Sequence, residues 1–456
     1  MKPGNRSLFL GVDVGGTKIL AAVAETSGNI LARERVSTPR KGSPQKTLET
    51  IVQAMDGAMG NAGVSRGLLA AVGLAIPGVV DPDAGRVVVT PNMNLSGMEI
   101  APKLQKRFGV PVALGNDVNL GTLGERWLGA ARGARSVVGI FPGTGIGGGI
   151  ILEGKLVRGA REAAGEVGHM VMQIGGPLCG CGNRGCLEAL ASRSAIERDI
   201  RAAVAGGRKT ILTQLAGGDL SLIRSAMLRA ALDRKDPLVT RTLRKAAETL
   251  GYACLSVRHI LDPELIVLGG GLIEACGDFI VPIVERILAA DALAGARPGG
   301  NVVQSALGDD AVVLGAVAIA QERAGLDPFA AAQTIPRYPT FAEATPGRIV
   351  IGKETYDYDL YIRADAKLKR RKKDKVKAKY GTSHKLDAEE LAKVCKGNPE
   401  LLIIGTGHQG ALELTPDGED FLRRRRITWR ALPTPEAILA YNAARGRKAA
   451  LIHLTC

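Results

Sequence analysis

Three times in the first 271 residues, an apolar strand-like run ends in a cluster of glycines. Residues 8–12 lead into Asp13-Val14-Gly15-Gly16-Thr17-Lys18. Residues 137–141 lead into Pro142-Gly143-Thr144-Gly145-Ile146-Gly147, and residues 265–268 into Gly269-Gly270-Gly271. Glycine lets backbone N–H groups approach a ligand closely, so a strand that stops at such a turn offers a seat for phosphate. A second apolar run follows the first two turns, at 19–23 and 150–152, so each reads as a hairpin. Neither has the Gly-x-x-x-x-Gly-Lys-Ser/Thr spacing, nor the Gly-x-Gly-x-x-Gly that opens a dinucleotide-binding helix. One such turn alone is equally a plain hairpin. Three in one chain favour nucleotide binding, with Asp13 placed to hold a hydrated Mg²⁺.

Further buried strands are expected at 69–76, and helical periodicity fits 47–62, 193–205, 237–261, 278–290 and 311–323. Alternating strands and helices predict an α/β protein. Between 326 and 345 the pattern breaks around Pro328, Pro336 and Pro339, which reads as a linker. Beyond it, strands at 348–351, 356–362, 401–404 and 449–454 and helices at 386–395 and 435–445 predict a separate small domain. No uncharged apolar run approaches the roughly 18–20 residues of a membrane span. The N-terminus lacks a signal-peptide pattern, so a cytoplasmic protein is expected.

The sharpest local signal is His169 followed by Cys179-Gly180-Cys181-Gly182-Asn183-Arg184-Gly185-Cys186. One imidazole and three thiolates complete a tetrahedral Zn²⁺ shell with no open position, as in structural sites. Glu166 and Glu188 flank these ligands, so the metal would hold two carboxylates near the imidazole. Asn116-Asp117 follows a short apolar run at 112–114. An acid at a strand end can take a hydroxyl proton during phosphoryl transfer, although Asn-Asp is more often a helix N-cap.

These motifs, in this order, resemble the ROK family of bacterial sugar kinases and, within it, the ATP-dependent glucokinases. The resemblance implies a two-lobed actin-like ATPase (ribonuclease H-like) fold with a zinc site over residues 1–325. The small lobe would be about 1–117 with a returning helix at about 311–325, and the large lobe about 118–310. It implies Asp117 as general base, and Asn92, Asn116, Glu166, His169 and Glu188 as sugar-binding residues. Asp13, Gly15, Gly16, Thr17, Lys18, Gly143, Thr144, Gly145, Gly269, Gly270 and Gly271 would face MgATP. His169, Cys179, Cys181 and Cys186 would hold structural Zn²⁺, with His169 serving the sugar as well. The implied reaction moves a phosphoryl group from ATP to the 6-hydroxyl of a hexose, glucose first. Alternatives are fructose, mannose or an N-acetylhexosamine as acceptor, or a non-catalytic sugar sensor or scaffold. A homodimer is expected because dimers are common in the family. Asp262 departs from the family pattern, which often has Asn there.

Residues 346–456 resemble the Mth938-like domain, a small α/β domain of poorly understood activity, through Leu402-Ile403-Ile404-Gly405-Thr406-Gly407 and Leu414-Thr415-Pro416. That family includes a respiratory-complex assembly factor, which suggests a protein partner by analogy. The chain carries a net charge of +15, and residues 331–456 hold 24 Lys/Arg against 15 Asp/Glu. Most of that excess lies in Lys367-Leu368-Lys369-Arg370-Arg371-Lys372-Lys373-Asp374-Lys375-Val376-Lys377. Such a run can meet the phosphates of nucleic acid or an anionic membrane. With little aromatic interleaving it reads instead as a solvated loop, and nucleic acid is disfavoured as a partner.

Overall fold

Both expected hairpins are present, and each founds a five-stranded sheet. The computed structural model describes residues 8–39, 42–90, 93–293, 300–330, 338–396, 399–425, 427–444 and 446–454. The chain divides into two units, Met1–Phe329 and Ala330–Cys456.

In the first unit β1 (Leu8–Val14), β2 (Lys18–Glu25) and β3 (Ile30–Ser37) form an antiparallel meander. Beyond β1 lies β4 (Leu69–Ile76), parallel to it. A small hairpin, β5 (Val79–Asp81) and β6 (Arg86–Val89), precedes β7 (Val112–Asn116), which adds in parallel to β4. The order is β3-β2-β1-β4-β7. The second sheet repeats the plan. Here β8 (Val137–Pro142) and β9 (Ile146–Leu152) are antiparallel, and β10 (Lys155–Leu156) extends the edge. On the other side β11 (Leu265–Leu268) and β12 (Asn301–Gln304) run in parallel.

The helices follow from capping and apolar spacing. α1 (Pro44–Asn61) begins where the Ser43 side chain accepts from the Lys46 N–H and Pro44 presets the first turn. Its buried Leu48, Ile51, Val52, Met55 and Met59 recur at helical spacing and cover the first sheet's core. α5 (Arg193–Ala205) and α8 (Pro237–Leu261) match the expected ranges. α8 ends on Asp262 at φ +44°, a left-handed cap that Asn and Asp both tolerate. The Asp for Asn exchange therefore keeps the cap. α9 (Gly271–Ala289) starts at the third glycine cluster, earlier than periodicity suggested, and is kinked at Cys276.

The sheets meet through α3 (Asp117–Leu128) and α10 (Asp310–Arg323), which pack against each other. A Cβ on Gly124 would sit 2.0 Å from the Ala311 carbonyl oxygen, and one on Gly315 would sit 1.8 Å from that of Leu120. The two helix backbones therefore touch directly, which only glycine permits.

In the second unit the strand order is β17-β16-β22-β19-β21, with a three-stranded sheet β13-β14-β15 beside it in sequence. The strands are β13 (Phe341–Thr345), β14 (Arg348–Ile351), β15 (Glu354–Tyr356), β16 (Leu360–Ile362), β17 (Leu368–Arg370), β19 (Leu401–Thr406), β21 (Thr428–Leu432) and β22 (Lys448–His453). Short β18 (Lys385–Leu386) and β20 (Glu413–Leu414) pair separately.

Three expectations need correction here. β13 occupies the end of the stretch read as linker, because Pro339 and Pro346 flank the strand rather than interrupt it. Residues 331–337 of that stretch lie outside the described residues. The strand expected at 356–362 breaks in two, because Asp359 turns into the core and accepts from the Leu454 N–H. The basic run is not a solvated loop throughout. It supplies β17 and the helix Asp374–Tyr380, and Arg371 between them is buried against Asp359 and Glu390.

Candidate functional site

Chain direction brings the second and third glycine turns together. β8 and β11 are parallel neighbours, so their ends, Pro142 and Leu268, deliver the second and third clusters side by side. A Cβ on Gly270 would lie 2.8 Å from the Pro142 carbonyl oxygen, so the two turns are in backbone contact. The second turn is tied to the start of α5. The Arg193 N–H donates to the Gly143 carbonyl at 2.9 Å, and its guanidinium to Thr144 Oγ1 at 2.7 Å.

The first turn is held by its own bonds. The Gly15 N–H donates to the Lys18 carbonyl at 2.9 Å, and Thr38 Oγ1 donates to the Gly15 carbonyl at 2.6 Å. Lys18 Nζ lies 2.8 Å from Asp309, which also takes Arg35 at 2.8 Å. Asp309 immediately precedes α10, so the returning helix reaches back to the first phosphate turn. Burial pushes the Asp13 carboxyl up to about 7, and the nearby Asp117 charge adds to the effect.

Asn116 is the N-cap of α3: its Oδ1 accepts from the Val118 and Asn119 N–H groups at 3.0 Å. Its Nδ2 donates to the Gly78 carbonyl at 3.0 Å. The capping reading and a position at the cleft are therefore compatible, because one amide N–H remains. Asp117, at the first position of α3, forms no ion pair among the described residues. Burial raises its pKa, against the N-terminal N–H groups that lower it, and the Glu166 charge raises it further. Thr90, two residues before Asn92, donates to the Met93 carbonyl at 2.6 Å. Asn92 lies outside the described residues.

The Cys/His motif folds into a knuckle. The Cys179 N–H donates to the Asn183 carbonyl at 2.8 Å, the Gly182 N–H to the Cys179 carbonyl at 3.0 Å, and Val171 bridges to Cys186. Ligand atoms of His169, Cys179, Cys181 and Cys186 all lie within 4.8 Å of one another. Cys179 Sγ is 3.6 Å from His169 Nδ1, and Cys181 Sγ is 3.7 Å from Cys186 Sγ. A tetrahedral shell with Zn–S bonds of about 2.3 Å has S–S edges of about 3.7 Å, so the set fits such an ion. His169 turns Nδ1 toward the thiols and its Nε2 toward Glu166, 3.9 Å away. Glu188 joins the knuckle to the second glycine turn. Its Oε2 accepts from the Ile146 N–H at 2.9 Å, while its Oε1 lies 3.7 Å from Cys179 Sγ.

Asp309 and Arg193 were not anticipated, since both act on turns far away in sequence. Glu125 was also missed. It is fully buried in α3 and accepts from Ser305 Oγ at 2.6 Å and from the Leu307 N–H at 2.9 Å, which anchors the approach to α10. An acid inside the apolar face of an amphipathic helix was its only signal.

Two sheets, each opened by a glycine hairpin and joined through α3 and α10, define the two-lobed actin-like ATPase architecture. The chain belongs to the ROK family, which matches residues 9–323. Residues 341–453 match a family described as a protein of unknown function (DUF498/DUF598), the Mth938-like domain. The first unit is similar to a glucokinase of Streptomyces coelicolor, with 35% identity over 69% of this chain and 98% of the relative. It is also similar to the crystal structure of a ROK family glucokinase from Streptomyces griseus in complex with glucose and AMPPNP. That match has a TM-score of 0.61 and 32% identity, and covers 69% of this chain and 99% of that one. A putative xylose repressor of a Caldicellulosiruptor species is 29% identical over 69% of this chain and 78% of its own length. Among the described residues no helix is long and apolar enough to cross a membrane.

Proposed function

We propose that the first unit transfers the γ-phosphoryl group of ATP to the 6-hydroxyl of a hexose, with glucose as the leading acceptor. The observation that carries this reading is Asp117, half-buried beside the glycine turns, with no ion pair among the described residues and within electrostatic reach of both Asp13 and Glu166. Such a carboxylate can accept a hydroxyl proton as the phosphoryl group arrives. Asn116, Glu166, His169 and Glu188, together with Asn92, would hold the sugar hydroxyls. Gly15, Gly16, Thr17, Gly143, Thr144 and Gly145 would offer backbone and hydroxyl donors to the phosphates, with Lys18 beside them and Gly269–Gly271 against the nucleoside. Asp13 would hold Mg²⁺, which when bound neutralises charge on the phosphate oxygens. Zn²⁺ in the His169, Cys179, Cys181 and Cys186 set would be structural, fixing His169 and Glu188 relative to each other. Positioning and charge stabilisation would supply most of the rate.

The working division of the first unit is a small lobe of about 1–117 with 311–325 and a large lobe of about 118–310, working as a homodimer in a reducing cytoplasm. The second unit, taken as 346–456 in outline, would dock a protein partner. The test is MgATP with a panel of glucose, fructose, mannose and N-acetylhexosamines, following ADP and sugar phosphate together. Matched production with glucose supports the reading, and another preferred sugar renames the acceptor. No turnover with any sugar, while ATP binds, would instead favour a sensor akin to the repressor relatives.

A further inference from the structure

The basic run of the second unit lines a cavity of about 460 Å³. One wall is the β16–β17 ribbon, where Tyr361 pairs directly with Lys369. The others are the helices Asp374–Tyr380, which presents Val376 and Lys379, and Ala388–Val394, which presents Lys393.

Six cationic side chains and three carboxylates line this space. The carboxylates are already engaged. Glu390 is taken by Arg371 from beneath the wall at 2.8 and 2.9 Å, and Asp387 by Lys379 at 2.9 Å. Glu389 is shared by Lys375 and Lys393 at 3.1 and 3.2 Å. Lys369 and Lys372 have no carboxylate partner among the described residues, and Arg370 lies over the Tyr358 ring, 4.6 Å from its centre. Arg371, buried between Asp359 and Glu390, pins the segment that carries these cations, so their clustering is built into the fold. Like charges held together on a concave wall repel one another and focus a positive potential into it.

We propose that this cavity binds a small phosphate-bearing anion, either a phosphate ester or pyrophosphate. Its volume lies within the range of small-molecule sites, roughly 300–1,000 Å³. Lysines serve phosphate as compact point charges, and Tyr361 with Val376 gives an organic substituent an apolar floor. A nucleic acid strand would instead call for a long groove with stacking aromatics.

The inference does not rest on the kinase reading, and its test separates the two. The full chain is acylated at lysine with pyrophosphate, glucose 6-phosphate or ADP present in rising concentration, and modification is read residue by residue. Saturable protection of Lys369 and Lys372 by one of the three, with the exposed Lys353 of the same unit unaffected, is the expected result. The double substitution Lys369→Glu with Lys372→Glu should weaken that probe at least about tenfold. The Lys→Gln pair, monitored by circular dichroism, separates loss of charge from loss of fold. Glucose 6-phosphate and ADP binding only in the first unit would leave these lysines reactive. The proposal is overturned if no probe protects them, if the Glu pair binds unchanged, or if only a single-stranded oligonucleotide or phosphatidylserine vesicles protect.

Discussion

Each unit buries carboxylates, and it treats them in opposite ways. Asp13 and Asp117 in the first unit are half-buried and form no ion pair among the described residues, and desolvation drives both pKa values upward. Asp359 in the second is more deeply buried but meets Arg371 at 3.3 Å, and His453, the Leu454 N–H and Lys373, 2.9 Å away, hold its carboxyl below the usual range despite burial. A buried charge matched on several sides behaves as architecture, because removing either partner strands the other. A buried charge left unmatched carries a standing cost and remains available to a proton. The contrast sets a structural acid in the second unit apart from the proposed proton acceptor of the first.

The sharpest way to break this comparison is at Asp117. Asp117→Asn should lower hexose-dependent ADP release at least about a hundredfold, the low end for loss of a general base. The same variant should melt at a higher temperature at neutral pH. The raised folded-state pKa means that the favourable contribution of Asp117 is present below the unfolded carboxylate range and lost as pH rises through the folded value. Asn never ionises and escapes that loss. A variant with near-normal turnover would remove Asp117 from the chemistry.

In the second unit Arg371→Met should cost about 3–5 kcal/mol in denaturant unfolding, because Asp359 and Glu390 lose a buried partner. An unchanged midpoint would show that the pairing is ornamental. With its lowered carboxyl, Asp359 contributes stability above the unfolded carboxylate range and loses it as pH falls through the folded value. Acid lability confined to strongly acidic pH is therefore expected of this unit.

Smaller effects sharpen the picture. Metal analysis should find about one zinc per chain, and Cys181→Ser should reduce sugar turnover by about 10–100-fold through loosened positioning of His169 and Glu188. Absence of metal from the native protein would refute the scaffold role. On the acid limb, turnover should fall by up to about tenfold per pH unit as Asp117 takes a proton, with an apparent pKa above the ordinary carboxylate value. A limb at the ordinary value would mean that burial is relieved in the loaded cleft.

What could be read from sequence depended on how far the partners lay along the chain. His169 and the three cysteines fall within 18 positions, so spacing alone announced that their side chains would gather. The glycine hairpins were legible for the same reason, and α8 because Asp236, Pro237 and the cap at Asp262 bracket an apolar period. Asp309 was invisible because its partner Lys18 is 291 residues away, and Arg193 because Thr144 is 49 away. The basic run shows the other failure. Arg371 sits among equals in sequence, and only tertiary packing with carboxylates 12 and 19 positions on either side singles it out for burial. Tyr356 to Ile362 alternated like one strand, but that pattern could not register a carboxylate needed by the far end of the chain.

The glycine contact between α3 and α10 limits how the first unit can move. Helices separated by side chains can slip past one another in small shear steps, since interdigitated groups re-seat. Here the two backbones meet at Gly124 and Gly315, so at those two points there is no side chain whose re-seating could accommodate a shift. Relative movement of the two sheets would therefore have to be absorbed away from those points, toward the ends of these helices. One of those ends begins with Asp117, and the other follows Asp309, which grips Lys18 of the first glycine turn.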